Sequence, residues 1–263
     1  MIRMISRDEA QAFAFQSDAD AITFHKMRQL LGAPNAVCLS DGSDVLYVRT
    51  GSGWPSWIYT RRGIPDETLS ALAASLCVLK EANNLSGVIG RASLVRYLEL
   101  AMPYPTKRRL PLTAYVVEKP QHFTAAGARV PAAALDPAVC GDILAQLGEQ
   151  AQEPIPAAER LAFGQQFCAD PNACGWCING TAVALARITE RTDTLAYLGS
   201  VVTDNAHRRH GYGKALVSAV CAEEAEHGRR TMLYADTSYP ASNALYRAIG
   251  FTEAGRLLGF DFV

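Results

Sequence analysis

The sequence runs through one order of elements twice, and that constrains the fold more than any other feature. In the first half, Ala36 to Ser40 and Val45 to Thr50 read as strands around an Asp41-Gly42 turn, with Trp54 to Thr60 as a third. Leu69, Leu72, Ala73, Leu76 and Leu79 recur near a 3.6-residue period and predict a helix over 66–82. An apolar run at Leu85 to Ile89, a helix from Ala92 to Ala101 and a strand from Leu112 to Val117 follow. In the second half, Ala173 to Ile178 and Thr181 to Ile188 flank Asn179-Gly180, the strongest short-range hairpin signal in the chain. Thr194 to Thr203 is a third strand, and a helix over 211–227 is closed by Gly228. Thr231 to Asp236, Ala241 to Ile249 and Thr252 to Phe262 complete the order as strand, helix, strand. Cys38-Leu-Ser-Asp-Gly and Cys177-Ile-Asn-Gly even enter their hairpins alike.

Two tandem copies of one α/β domain, each a mixed sheet flanked by helices, account for this repetition. Residues 119–136, rich in Ala, Pro and Gly, mark the connection, so the expected domains are 1–120 and 121–263. A polar, helical stretch over 7–31 opens the chain, and two further helical patterns precede Ala173. The length of 263 residues gives each copy enough apolar surface for a core, and 49% hydrophobic residues exclude a disordered or low-complexity chain.

A net charge of -1 gives no reason to expect a nucleic acid or an anionic membrane as partner. Asp8 and Glu9 stand where a signal peptide needs its apolar core, and no apolar run approaches bilayer length, so a cytoplasmic protein is expected. The seven cysteines are odd in number and lie mostly in apolar segments, as free buried thiols do. Cys174 and Cys177 have the spacing of a redox or zinc pair, but strand alternation puts them on opposite faces, so they read as packing residues. No metal is expected; His207 and His210 flank two arginines, a poor setting for a cation. Lys107-Arg108-Arg109 reads as a solvated turn, with contact to an acidic substrate or a ligand phosphate as the alternative.

The chemistry concentrates in Val201-Val-Thr-Asp-Asn-Ala-His-Arg-Arg-His-Gly-Tyr-Gly-Lys-Ala-Leu216, where a β-branched strand enters a polar loop and then a helix through Gly211-x-Gly213. Glycines there allow close backbone approach, and the first helical turn offers unpaired N–H groups at a positive dipole end. Those are the needs of a pyrophosphate site, to which Arg208, Arg209, His210 and Lys214 add donors. A tight strand-to-helix turn with solvated arginines would share the glycine pair, so the loop alone does not decide.

Arg208-x-x-Gly211-x-Gly213 at this junction resembles the acyl-CoA pyrophosphate motif of the GNAT superfamily of N-acetyltransferases. Ser242-Asn-Ala-Leu-Tyr-Arg-Ala-Ile-Gly-Phe251 resembles a second motif of that superfamily, in the family's order and spacing. The resemblance covers roughly 130–263 and implies two mostly antiparallel twisted sheets with helices on their faces. It further implies that the strand ending in Val201, Val202 and Thr203 splays from its neighbour to free backbone groups for the pantetheine arm. The amides from Arg209 through Tyr212 to Lys214 would hold the pyrophosphate, Asn243 would approach the pantetheine, and Tyr246 would sit near the CoA sulfur.

Amine attack on a thioester expels a thiolate that needs a proton or a donor, and a phenol of reference pKa about 10 can supply either while neutral at pH 7. The oxyanion formed also needs a donor, by analogy the backbone N–H of Val201 or Val202. For the general base Asp236 is the candidate, with Tyr197, Asp204 and His207 behind it. Tyr239-Pro240 departs from the family's common Asn-Pro, which puts the acceptor-side contacts in doubt. The function implied is an acetyl-CoA-dependent N-acetyltransferase acting on a small-molecule primary amine by direct attack in a ternary complex, with a homodimer compatible with the family. A non-catalytic acyl-CoA sensor, or an enzyme for longer acyl chains or protein amines, would show the same motifs.

The first half lacks the cradle. Tyr59-Thr-Arg-Arg-Gly-Ile-Pro-Asp-Glu67 has one glycine, a proline without an N–H, and two carboxylates that repel phosphate. A degenerate, non-catalytic copy is expected, with an unrelated α/β partner as the alternative.

Overall fold

The computed structural model describes residues 2–51 and 53–263. The chain divides into two compact units. The first comprises Met1–Ala114, Ala235–Tyr239 and Glu253–Val263; the second comprises Tyr115–Tyr234 and Pro240–Thr252. They are not the contiguous halves 1–120 and 121–263. The last strand returns to the first unit, so the chain visits that unit at both of its ends.

In the first unit, β1 (Arg3–Ile5), β2 (Val37–Ser40), β3 (Val45–Arg49) and β4 (Ser56–Thr60) form an antiparallel run. Asp41 Oδ1 accepts the N–H groups of Ser43, Asp44 and Val45, and Gly42 at φ 97° completes the β2–β3 turn. β5 (Gly87–Arg91) runs parallel to β4, after α4 (Asp66–Glu81). α5 (Ala92–Ala101) buries Leu94, Val95 and Leu98 at the spacing of one helical face. β12 (Thr252–Phe262) pairs antiparallel with β5 from Leu257↔Arg91 to Asp261↔Gly87, and its Leu258, Phe260 and Phe262 join Tyr47, Ile58, Leu72, Leu76 and Val95 in one core. The strand order in this unit is β1-β2-β3-β4-β5-β12-β6, with β6 at Thr106–Val117. The basic run at 107–109 therefore lies in a strand and not in a turn; the side chains of Arg108 and Arg109 lie outside the described residues.

The expected helical opening is three short helices, α1 (Arg7–Gln11), α2 (Asp18–Thr23) and α3 (His25–Leu31). Ser6 and Ser17 cap the first two, Ser6 in a reciprocal box with Glu9. Between them Phe13, Phe15, Phe24 and Tyr59 meet edge-on or stacked, and Arg91 crosses the Phe24 ring to reach Asp20 at 2.6 Å.

In the second unit, β7 (Ala128–Pro131), β8 (Ala173–Ile178), β9 (Thr181–Arg191) and β10 (Leu195–Thr203) are antiparallel, and β11 (Arg230–Asp236) is parallel to β10. β7 lies inside the segment expected to be a linker. The β8–β9 turn is Asn179-Gly180, with φ 50° and 84° as the hairpin signal requires. α6 (Pro137–Ala151) starts at Asp136, whose side chain accepts Ala138 N–H, with Pro137 at the first helical position. α7 (Arg160–Ala169) packs backbone to backbone on it: a Cβ on Gly164 would stand 1.8 Å from Pro137 O, and one on Gly141 2.1 Å from Arg160 O. Cys140, Ile143 and Phe167 from these helices cover Ala173, Cys177, Leu185 and Val202 of the sheet.

α8 (Tyr212–Glu226) and α9 (Pro240–Ile249) complete the unit. Near the end of α8 the buried carboxylate of Glu224 receives Arg191 at 2.8 Å and Arg229 at 2.5 Å. Burial alone would push its pKa up, but the two guanidinium hydrogen bonds outweigh it and hold the group below its ordinary value.

All seven cysteines are free thiols. Cys174 and Cys177 do lie on opposite faces, Cys177 in the core under α6 and Cys174 beneath α8. No helix among the described residues is long and apolar enough to cross a membrane, and none of their His, Cys, Asp and Glu side chains form a group of three able to hold a metal.

Candidate active site

The site grows from an irregularity in β10. Its pairing with β9 passes from Gly199↔Arg187 to Val202↔Leu185, so two residues on β10 oppose one on β9. Ser200, in that bulge, has φ 51°. The bulge bends β10 away from β11: their parallel ladder covers only Leu195, Ala196 and Tyr197, although the strands continue to Thr203 and Asp236. From Leu198 onward the backbone of β10 has no ladder partner on its β11 side. Val202 turns its side chain into the core, while Val201 and Thr203 are half-buried.

Beyond Thr203 the loop is pinned by a carboxylate. Asp204 accepts from Gln146 Nε2 at 2.8 Å and meets His207 Nδ1 at 2.6 Å, and Gln146 Oε1 receives Asn205 N–H. The Gln146 hydrogen bond, with that of His207, holds the Asp204 carboxyl below its ordinary value against the opposing effect of burial. Both residues are thereby loop anchors. Arg208 folds back, its Nε donating to Thr203 O at 3.3 Å. Arg209 and Gly211 take left-handed conformations at φ 65° and 85°, turning the chain into α8.

The start of α8 is open. No side chain caps it, and its first bond runs from Ala215 N–H to Gly211 O. Among the described residues no acceptor meets the N–H groups of Arg209, His210, Gly211, Tyr212, Gly213 or Lys214. A Cβ added to Gly211 would meet nothing within 4 Å. Unpaired amides at a helix N-terminus beside empty space suit an oxyanion ligand. Gly213 differs: a Cβ there would stand 2.5 Å from Thr203 Oγ1, so this glycine lets the helix close on β10. The cationic side chains stay at the edges, with Lys214 Nζ 4.0 Å above the Phe123 ring and the His210 ring stacked on Tyr212.

α9 supplies the two residues of the second motif. Asn243 is buried, and its Oδ1 accepts Tyr115 O–H at 3.1 Å, while Arg247 donates to the same phenol at 3.2 Å. Tyr246 is buried against Tyr115 and Phe251, and its phenol has no hydrogen-bond partner among the described residues. Burial, with a smaller contribution from Cys221, raises its pKa well above that of an ordinary phenol, so the group stays protonated. Cys221 is itself pushed up to about 12 by burial and is an inert thiol.

The structure thus brings Val201 through Lys214 into one strand-loop-helix turn and places Asn243 and Tyr246 on α9 of the same unit. Asp236 belongs to the first unit, where its Oδ1 accepts Ser238 N–H at 2.7 Å and shapes the turn toward Pro240. Tyr115, Gln146 and Phe123 escaped the sequence analysis. Each supports a motif residue from far along the chain, and none stands in a motif of its own.

The counterpart turn in the first unit, from β4 to α4, offers no such cradle. Arg62 N–H is taken by Gln16 Oε1, Arg61 donates to Ser43 O and pairs with Asp44, and Pro65 stands at the helix cap ahead of Asp66 and Glu67.

Residues 142–251 match the acetyltransferase (GNAT) family. No curated relative matches the chain. Among solved structures, a GCN5-related N-acetyltransferase from Sphaerobacter thermophilus is 17% identical with a TM-score of 0.63, covering 99% of this chain and 94% of its own. A tandem GNAT protein from the clavulanic acid biosynthesis pathway is 12% identical with a TM-score of 0.59, covering 99% and 98%. A GNAT-family acetyltransferase from Colwellia psychrerythraea is 12% identical with a TM-score of 0.57 over the full length of both chains. At these identities the likeness shows a shared fold, and it spans both units. Residues 142–251, which hold the β10–α8 turn and its amides, are thus similar to the acetyltransferase (GNAT) family.

Proposed function

We propose that the protein transfers an acetyl group from acetyl-CoA to a primary amine of a small molecule, by direct attack in a ternary complex. The observation that carries this reading is the run of amides from Arg209 to Lys214 without acceptors among the described residues, next to a strand that has no ladder to β11 beyond Tyr197. The amides and the α8 dipole would hold a pyrophosphate, and the exposed edge of β10 would pair with an extended amide-bearing arm. The thioester supplies the activated acyl group. Tyr246 O–H, kept protonated by burial and with no acceptor among the described residues, would donate to the departing thiolate.

Cys221, whose charge would act on Tyr246, is buried and stays protonated, which favours direct attack over a covalent acyl-enzyme. Asp236 spends one carboxylate oxygen on the Ser238 turn, and the acceptor ammonium must lose a proton before it attacks.

Calorimetric titration with acetyl-CoA tests the donor site. Saturation at one site per chain is expected, since only the second unit has the cradle. No binding by folded protein would overturn the reading. Binding without transfer to any of a broad amine panel would leave a donor site but refute the catalysis.

A further inference from the structure

The β10–α8 loop has two parts of opposite character. From Asp204 to Arg208 the chain is tied down: Asp204 N–H donates to Val183 O, His207 N–H to Asp204 O, and Arg208 Nε to Thr203 O. From Arg209 to Lys214 the amides meet no acceptor among the described residues. Open amides bind an anion well only when the chain behind them already holds still, because ordering a loop at the moment of binding costs affinity. One side chain from outside the loop braces the tied part.

That side chain is Gln146 of α6, half-buried and 58 residues ahead of Asp204. Ile143, one turn earlier on the same helical face, packs in the core with Val202 of β10, so α6 carries Gln146 to the point where β10 becomes the loop. The carboxamide makes two bonds of opposite polarity there. Nε2 donates to Asp204 Oδ1 at 2.8 Å, and Oε1 accepts Asn205 N–H at 2.8 Å. The second Asp204 oxygen meets His207 Nδ1 at 2.6 Å, so each carboxylate oxygen has its own partner. An amide is the side chain that can donate to a carboxylate and accept from the next N–H at once. A carboxylate in its place would accept from Asn205 but repel Asp204, and a thioether would do neither.

We propose that Gln146 is a positioning residue for the acyl donor: by gripping Asp204 and Asn205 together it holds the loop in the shape that presents the amides of Arg209 to Lys214, so the anion site is formed before its ligand arrives. This role rests on the donor site proposed above. The test is calorimetric titration of acetyl-CoA into the full chain and three variants, with urea unfolding of each. Gln146→Met keeps the length of the side chain and removes both bonds, and acetyl-CoA should bind about tenfold or more weakly. Gln146→Glu sets two carboxylates together and should bind at least as weakly. The double variant Gln146→Glu, Asp204→Asn exchanges carboxylate and amide across the pair, which restores a donor to one side, keeps an acceptor for Asn205 N–H, and leaves an amide oxygen for His207. It should recover most of the affinity lost in Gln146→Glu, a rescue that a general loosening of α6 would not give.

Wild-type protein that does not bind acetyl-CoA would refute the donor site and this role with it. Wild-type binding matched by Gln146→Met, or a double variant no tighter than Gln146→Glu, would refute the role of Gln146 alone and leave the donor site standing. Should Gln146→Met fail to fold, the comparison of the two carboxylate-bearing variants decides.

Discussion

Gly211 and Gly213 stand two residues apart and serve different ends. Gly211 holds φ 85° with open space where a side chain would point, whereas Gly213 is pressed on Thr203. Gly211→Val should therefore weaken acetyl-CoA binding, through strain of about 1–2 kcal/mol in the left-handed region and through a side chain set into the cradle. Calorimetry reads the loss. Gly213→Ala should instead destabilise the fold, by about 1–3 kcal/mol, because Thr203 Oγ1 must give way. Adding Thr203→Ala should recover most of that, since the Thr203 Cβ is 3.8 Å from the new methyl; denaturant melts of the single and double variants measure it. Tyr246→Phe keeps the packing against Tyr115 and Phe251 but removes the donor. The single-turnover acetyl transfer step should slow by about 100-fold or more with acetyl-CoA affinity unchanged, and an unaffected step would remove Tyr246 from the chemistry.

At the scale of elements, the α8 helix is tied down at its carboxyl end by an ion pair and left open at its amino end. Glu224→Gln should cost about 2 kcal/mol at neutral pH, the low side for a broken buried pair because Arg191 keeps some contact with water. The Glu224 pKa is lowered in the folded state, so its contribution is present above the ordinary carboxylate value of 4.5 and is lost as pH falls through the folded value. Urea unfolding of both proteins should show their difference shrinking as pH falls below about 4.5. Elements with a strong local signal were readable from sequence: the Asn179-Gly180 hairpin, α4 with its leucine spacing, and the Gly-x-Gly entry to α8. Those read wrongly are held by distant partners. β7 is Ala-Arg-Val-Pro, whose pairing with β8 comes from the tertiary fold and not from any alternation of its own. β1 was missed because three residues carry no period. Residues 107–109 were read as a turn because three consecutive cations ahead of Pro111 break the apolar pattern of a strand.

At the scale of the molecule, the repeat of elements was legible but its partition was not. Nothing local in Thr252–Phe262 says which sheet it joins, since an alternating strand suits either. The structure gives it to β5, where Leu258, Phe260 and Phe262 complete a core begun more than two hundred residues earlier. A fragment ending at residue 120 should therefore fail to fold cooperatively, and hydrogen exchange at Gly87–Arg91 should become fast when 252–263 are deleted from the full chain. Protection that survives the deletion would show that the first unit is self-sufficient. The closing strand also sets a schedule. A ribosome delivers the first unit's helices and its six strands β1 to β6 early, at about 5–20 residues per second, yet their sheet waits for residues 252–263 to emerge. For roughly ten seconds or more the nascent chain holds an unfinished sheet edge and apolar core, a window in which a chaperone or an early stop would decide its fate.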